Sequence, residues 1–227
     1  MPPRKQTKGT CTFCAQVIAK QSVAKHLSAC ATYQARLETA GQKTSASETL
    51  YHLRAQDAYN KAFWLDLEMT GSATLQHLDS YLRAIWLECC GHLSQFSVGG
   101  WRGEEIAPRR KIRTVFQPGL ELTHIYDFGT SSETVITMIA TREGKPITNR
   151  PIALLVRNQM PESPCIECQE PAEWFCHECL IEENRWGTLC DTHAKTHPHE
   201  NYGEPVRLVN SPRLGMCGYD GPAEPPY

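Results

Sequence analysis

In the run FWLDLEM, residues 63–69, Phe63, Leu65, Leu67 and Met69 alternate with Trp64, Asp66 and Glu68. A two-residue period is that of a β-strand. Gly71 and Ser72 break the run, and Thr74 can cap a helix that begins at Leu75. Leu75, Leu78, Leu82, Ile85 and Trp86 then recur at helical spacing, so an amphipathic helix should end before Gly91. Leu93 to Val98 reads as a second strand. Leu120 to Phe128 and Thr134 to Thr141 read as a pair around Gly129, and Ile152 to Val156 as a short buried strand. Strands mixed with one or two helices predict the α+β class and not regular βαβ winding.

On either side of this core the composition changes. The whole chain has 227 residues and a net charge of −2. Residues 1–47 carry seven Lys/Arg and one acid, residues 48–160 twelve of each, and residues 161–227 four Lys/Arg and twelve acids. The expected organisation is a small mixed α/β core at 48–160, flanked by two zinc-stabilised modules at 1–40 and 161–205, with a flexible Pro- and Gly-rich tail at 206–227. No apolar run approaches a membrane span, and the first residues lack the apolar segment of a secretion signal. Eleven Cys and nine His, mostly in CxxC, CxxH and HxxxC spacings, then point to metal ligation in a reducing, cytoplasmic compartment and not to disulfides.

At the N-terminal end, Cys11 and Cys14 form a CxxC, and His26 and Cys30 follow as HxxxC. Two thiols on a tight turn can meet a His and a Cys one helical turn apart on a single metal. Phe13, Val17, Ile18 and Leu27 supply a minimal core. So small a piece needs the metal for most of its folding free energy. The segment resembles the CCHC zinc fingers, some of which bind nucleic acid and others protein. Arg4, Lys5, Lys8, Lys20 and Lys25 are unopposed by any acid through Cys30, so they can contact phosphates or form a solvated basic tail.

Near the other end the order is Cys165xxCys168, Cys176xxCys179, Cys190xxHis193 and His197xHis199. Eight ligands suit two four-coordinate zinc ions. The arrangement resembles a B-box zinc finger. That resemblance implies that Cys165, Cys168, Cys190 and His193 share one zinc, and Cys176, Cys179, His197 and His199 the other. The ten residues between Cys179 and Cys190 are longer than a B-box usually has, which keeps sequential pairing open. His177 is a spare donor. Three structural zinc ions are thus expected in all, with Cys89, Cys90 and Cys217 left without a metal role. B-box-like modules mostly serve protein contacts, and the acidity of this one disfavours DNA.

The core itself carries a third resemblance. Thr74-Leu75-Gln76-His77-Leu78, His92-Leu93-Ser94-Gln95-Phe96 and Tyr126-Asp127-Phe128-Gly129 occur in the order seen in the plasmid pRiA4b ORF-three-like family. The likeness runs from Ala62 to Pro151. It implies an association with plasmids and mobile elements and no established activity. Thr130, Ser132 and Thr134 stand where the family usually has Asp, Trp and His, and Ser94 replaces a His. The domain is therefore expected to be a scaffold, with His92, His124 and Asp127 as the remaining candidates for a polar site. The loop Gly99–Pro118 adds Arg102, Arg109, Arg110, Lys111 and Arg113 near Trp101 and Phe116. Such a mixture can hold a nucleic-acid backbone, or be a solvated loop.

No nucleophile–base pair, P-loop or HExxH is present, so no catalytic residue is assigned. The expected function is that of a non-enzymatic zinc-finger interaction protein. It would be a nucleic-acid-associated accessory factor of a plasmid, phage or mobile element, with nucleic acid at its basic end, a protein partner at its acidic end and no membrane. A purely protein-binding adaptor, and an enzyme with a cleft in the middle domain, are the alternatives.

Overall fold

A computed structural model describes residues 7–227, so Arg4 and Lys5 lie outside the described residues. In chain order the first elements are β1 (Lys8–Cys11), β2 (Val17–Ala19), α1 (Val23–Ala29), α2 (Ala31–Gly41), β3 (Glu48–Asp57), β4 (Trp64–Thr70) and α3 (Leu75–Leu82). Then come β5 (Ser94–Val98), β6 (Glu104–Ile106), α4 (Ile112–Val115), β7 (Glu121–Tyr126), β8 (Ser132–Gly144) and β9 (Ile152–Asn158). Last are β10 (Trp174–Cys176), α5 (His177–Ile181), β11 (Gly187–Leu189), α6 (Asp191–Ala194) and β12 (Val206–Arg207). Nine strands pair in the order β2-β1-β9-β4-β3-β8-β7-β5-β6, and every pairing is antiparallel. A separate sheet, β11-β10-β12, belongs to the C-terminal module. Antiparallel sheets with helices packed beside them make this the expected α+β class.

Strand β4 explains the architecture. Leu65, Leu67 and Met69 point into the main core with Leu75, Leu78, Leu82, Ile85 and Trp86, the apolar stripe of α3 and the π-helical turn Arg83–Leu87 that extends it. Thr74 caps α3, and its backbone N–H donates to His77 Nδ1 at 3.1 Å. The opposite face of β4 reads as a solvent face in the sequence, yet the whole strand is buried. The N-terminal finger covers it. Trp64 packs with Ile18, Val23, Leu27, Tyr33 and Val156. The charges beneath the finger are paired: Arg54 donates to Asp66 at 2.7 and 3.0 Å, and Arg142 donates to Glu68 with two bonds of 2.7 Å. Bidentate pairing is what makes buried carboxylates tolerable.

The finger is therefore continuous with the core. Strand β1 pairs with β9 from Gly9↔Asn158 to Cys11↔Val156. Its apolar centre is built from both segments, and Val17, an expected core residue, is instead 45% exposed at the sheet edge. The tail also departs from expectation. Arg213, Leu214, Tyr219 and Ala223 are buried against the core. Ser211 Oγ donates to the Trp86 carbonyl, and Arg157 Nη2 donates to the carbonyls of Asn210 and Ala223. Pro and Gly content suggested a disordered tail, but a few apolar and hydrogen-bonding side chains give it a site on the sheet.

Candidate functional site

Thiols and imidazoles gather into four tetrads, each with its ligand atoms within 4.8 Å of one another. A tetrahedral ion with metal–sulfur bonds of about 2.3 Å separates its ligand atoms by roughly 3.4–3.8 Å, so such spacing accommodates a metal ion. Cys11, Cys14, His26 and Cys30 form the first tetrad, with Cys14 Sγ 3.4 Å from His26 Nε2. The turn after β1 carries the CxxC, with Ala15 at positive φ, and α1 presents His26.

Two further tetrads build the C-terminal module, and they alternate. Cys165, Cys168, Cys190 and His193 come together, as do Cys176, Cys179, His197 and His199. This is the pairing the B-box resemblance implied, and the long gap does not change it. The spacings are 3.8 Å for Cys168–Cys190, 3.6 Å for Cys165–His193 and 3.7 Å for Cys176–His199. Burial pushes the Cys165 thiol up, but backbone N–H groups of Cys190, Glu167 and Cys168 outweigh it and hold the thiol at about 6. His199 turns Nδ1 toward the cysteines and Nε2 toward Glu183, 3.2 Å away. Arg185 in turn pairs with Glu183 at 2.9 Å and reaches Cys179 Sγ at 3.7 Å. A carboxylate behind a ligating imidazole fixes its tautomer and orientation. His177, the spare donor, is buried against Phe175 and belongs to no tetrad.

A fourth tetrad corrects the sequence reading. Cys89, Cys90, His92 and Cys217 converge, although their sequence spacing gives Cys89, Cys90 and Cys217 no metal role. Cys90 Sγ lies 2.9 Å from His92 Nε2 and 3.9 Å from Cys217 Sγ. Sequence spacing could not reveal it, because Cys217 is 127 positions from Cys90.

His92 and Asp127 approach to 3.4 Å, but Asp127 is held by Arg213 at 2.8 Å. His124 does not join them. It is fully buried and donates Nε2–H to Asp79 at 2.7 Å. The three candidates thus do not converge on one cleft.

The basic residues also separate into groups. Lys20 is withdrawn from the surface: it lies over the Trp64 ring and bonds to Gln56, and burial pushes its amine down to about 8. Lys8 and Lys25 are exposed on the finger. Arg36, counted in the sequence only as charge, lines a hollow of about 350 Å³ beside Phe13 and Thr12. Arg109, Arg110, Lys111 and Arg113 are all exposed, and none forms an ion pair among the described residues. Their loop has a structural task as well, since the carbonyls of Pro108 and Arg110 accept the first amides of α3. Phe116 is buried and is no stacking platform. Trp101 lies instead beside Phe128 at 5.6 Å, both half-exposed, with its indole N–H on Glu133.

No family model matches the sequence, and no curated protein matches it. Among solved structures, a protein of unknown function from Methanosarcina mazei Go1 matches with a TM-score of 0.40 and 19% identity. The match covers 46% of this chain and 66% of that one, just under two thirds of its length. Among the described residues no helix is long and apolar enough to cross a membrane.

Proposed function

We propose that this chain is a zinc-stabilised interaction protein, a nucleic-acid-associated factor of a plasmid, phage or mobile element that recruits a protein partner through its acidic end. The observation that carries the reading is the loop at Arg109–Arg113, where four exposed cations have no ion-pair partner among the described residues and the backbone caps α3. Cations without carboxylate partners are free to displace counterions from phosphates. Lys8, Lys25 and Arg36 add positive charge on the finger. The mobile-element setting rests on the family resemblance of residues 62–151. Zinc suits the tetrads because thiolate and imidazole donors in a four-ligand set leave no coordination position open, as in structural sites.

The acidic module favours a protein at its surface. Ile181, Trp186 and Tyr202 are exposed there among Glu182 and Glu183. Large apolar side chains in a polar rim form the centre of many protein interfaces.

An electrophoretic shift with single-stranded DNA, duplex DNA and RNA at low salt tests the nucleic-acid half. Replacing Arg109, Arg110, Lys111 and Arg113 by Gln should weaken binding uniformly across sequences and flatten its salt dependence by about one slope unit per lost contact. Absence of binding at low salt would leave the adaptor reading. A nuclease-resistant pull-down that depends on Trp186 would then identify that role.

A further inference from the structure

We propose that Cys89, Cys90, His92 and Cys217 bind a fourth zinc ion, which clasps the C-terminal tail to the core. The proposal goes beyond the interaction role and stands independently of it. With this site included, all eleven cysteines fall into tetrads, so the chain contains no surplus thiol.

Local geometry is adapted to the convergence from both sides. Gly91, at φ +70°, turns the chain so that His92 faces back onto Cys90. Cys217 itself takes the left-handed conformation, φ 54° and ψ 29°, between Gly215 and Gly218 at positive φ. A non-glycine residue occupies that region at a cost, and it does so only where its surroundings dictate its direction. Here that direction brings the Cys217 thiol to 3.5 Å from His92 Nε2.

Charge supports a cation with thiolate ligands. Three thiolates around a divalent ion leave one excess negative charge, and Arg213 Nη2 lies 3.5 Å from Cys89 Sγ. The guanidinium is fully buried and arrives on the same tail as Cys217. Three sulfurs and one imidazole in four-fold arrangement are the donor set of zinc. A disulfide is the competing chemistry. It requires sulfurs about 2.05 Å apart, whereas Cys90 and Cys217 are 3.9 Å apart with His92 beside both.

This site differs from the others in its exposure. Cys90 and Cys217 are both exposed, so a chelator can reach two ligands directly. The fourth zinc should leave first, and its departure should loosen the tail around Cys217, which Arg213 and Ser211 still anchor, without unfolding either finger.

The test uses the full chain purified with zinc under reducing conditions. Zinc is counted per chain, and its release is followed with a chromogenic chelator. The expected result is four zinc ions in the wild type, one of them released at least about tenfold faster than the rest. Cys217→Ser and His92→Ala should each retain three and lose the fast phase, and trypsin should cut the tail about tenfold faster. Three zinc ions in the wild type would overturn the proposal. So would four in a folded Cys217→Ser chain, or an intact mass lower by about 2 Da that marks a disulfide. Should the variants fail to fold, titration of wild-type thiols decides: three thiols should react fast only after the fast zinc phase has been drawn off by chelator, and three fast thiols before any chelator would refute the site.

Discussion

Arg213 of the C-terminal tail donates to Asp127 Oδ2 at 2.8 Å, with the guanidinium fully buried and the carboxylate nearly so. The same guanidinium donates to the Thr130 carbonyl and to Ser132 Oγ, both at 2.9 Å, and lies over the Tyr126 ring. Removing one partner of a buried pair leaves the other uncompensated. Arg213→Ala should therefore lower the unfolding free energy by about 3–5 kcal/mol, and urea unfolding checks it. Arg207→Ala, which loses an exposed pair with Glu173 and a cation–π contact with the Trp174 ring, should cost no more than about 1–2 kcal/mol.

Gly9 permits the finger to dock. A Cβ at this position would lie 2.5 Å from the Trp64 ring and 2.7 Å from the Arg157 carbonyl. Neither backbone nor a fully buried indole can retreat. Gly9→Ala should destabilise the chain by about 1–3 kcal/mol through overpacking, seen as a lower Tm. Trp64 emission should shift to the red as β1 lifts away.

His124 and Asp79 give the core a defined acid response. Burial pushes the His124 imidazole below its ordinary value, outweighing the pull of Asp79. Burial raises Asp79, but hydrogen bonds from His124, Ser94 and Arg83 win and hold it at about 2. In both cases the unfolded chain binds a proton more readily than the folded one. Stability should fall as pH drops below about 6.5, where unfolded His protonates, and fall again between about 4 and 2 as Asp79 loses its advantage. His124→Gln, which can still donate to Asp79, should flatten the first decline. Urea midpoints at pH 7.5 and 5.5, with zinc present, measure the difference.

Glu183 is expected to tune the second C-terminal site. Its carboxylate meets the non-ligating nitrogen of His199. Glu183→Gln should weaken metal binding at that tetrad by about 10–100-fold, and leave the Cys165 tetrad unchanged. Competition against a chelator of known affinity gives the number. Glu170→Gln, near the other tetrad's CxxC but bonded to no ligand imidazole, serves as the control.

Local spacing made most of this molecule legible. Cys165xxCys168 or His197xHis199 declares a ligand pair because the two donors share one turn. The stripe from Leu75 to Trp86 declares a helix because its period is short. What stayed hidden depends on distant segments. Trp64, Asp66 and Glu68 read as an outward face, since nothing in their own strand announces that Tyr33 and Val23 will cover them. Cys89 and Cys90 carry no metal role in the sequence, since their partner Cys217 lies beyond the whole C-terminal Cys/His module. Arg213 read as part of a disordered tail, although its buried guanidinium is fixed by Thr130, Ser132, Asp127 and Cys89 and by the ring of Tyr126.

The pairing of Gly9 with Asn158 has a consequence for synthesis. The finger's four ligands emerge from the ribosome early and can take their metal within the first 30 residues. Its seat, Trp64 beside β9, is complete only when 158 residues have been made. Until then a metal-bound finger has only half of its apolar centre, and the edge of β1 that β9 takes stays open. Contacts of such long sequence separation form slowly. The first segment able to gather its ligands is thus among the last to be seated, and until β9 arrives its open edge is a template for pairing with another copy of the chain.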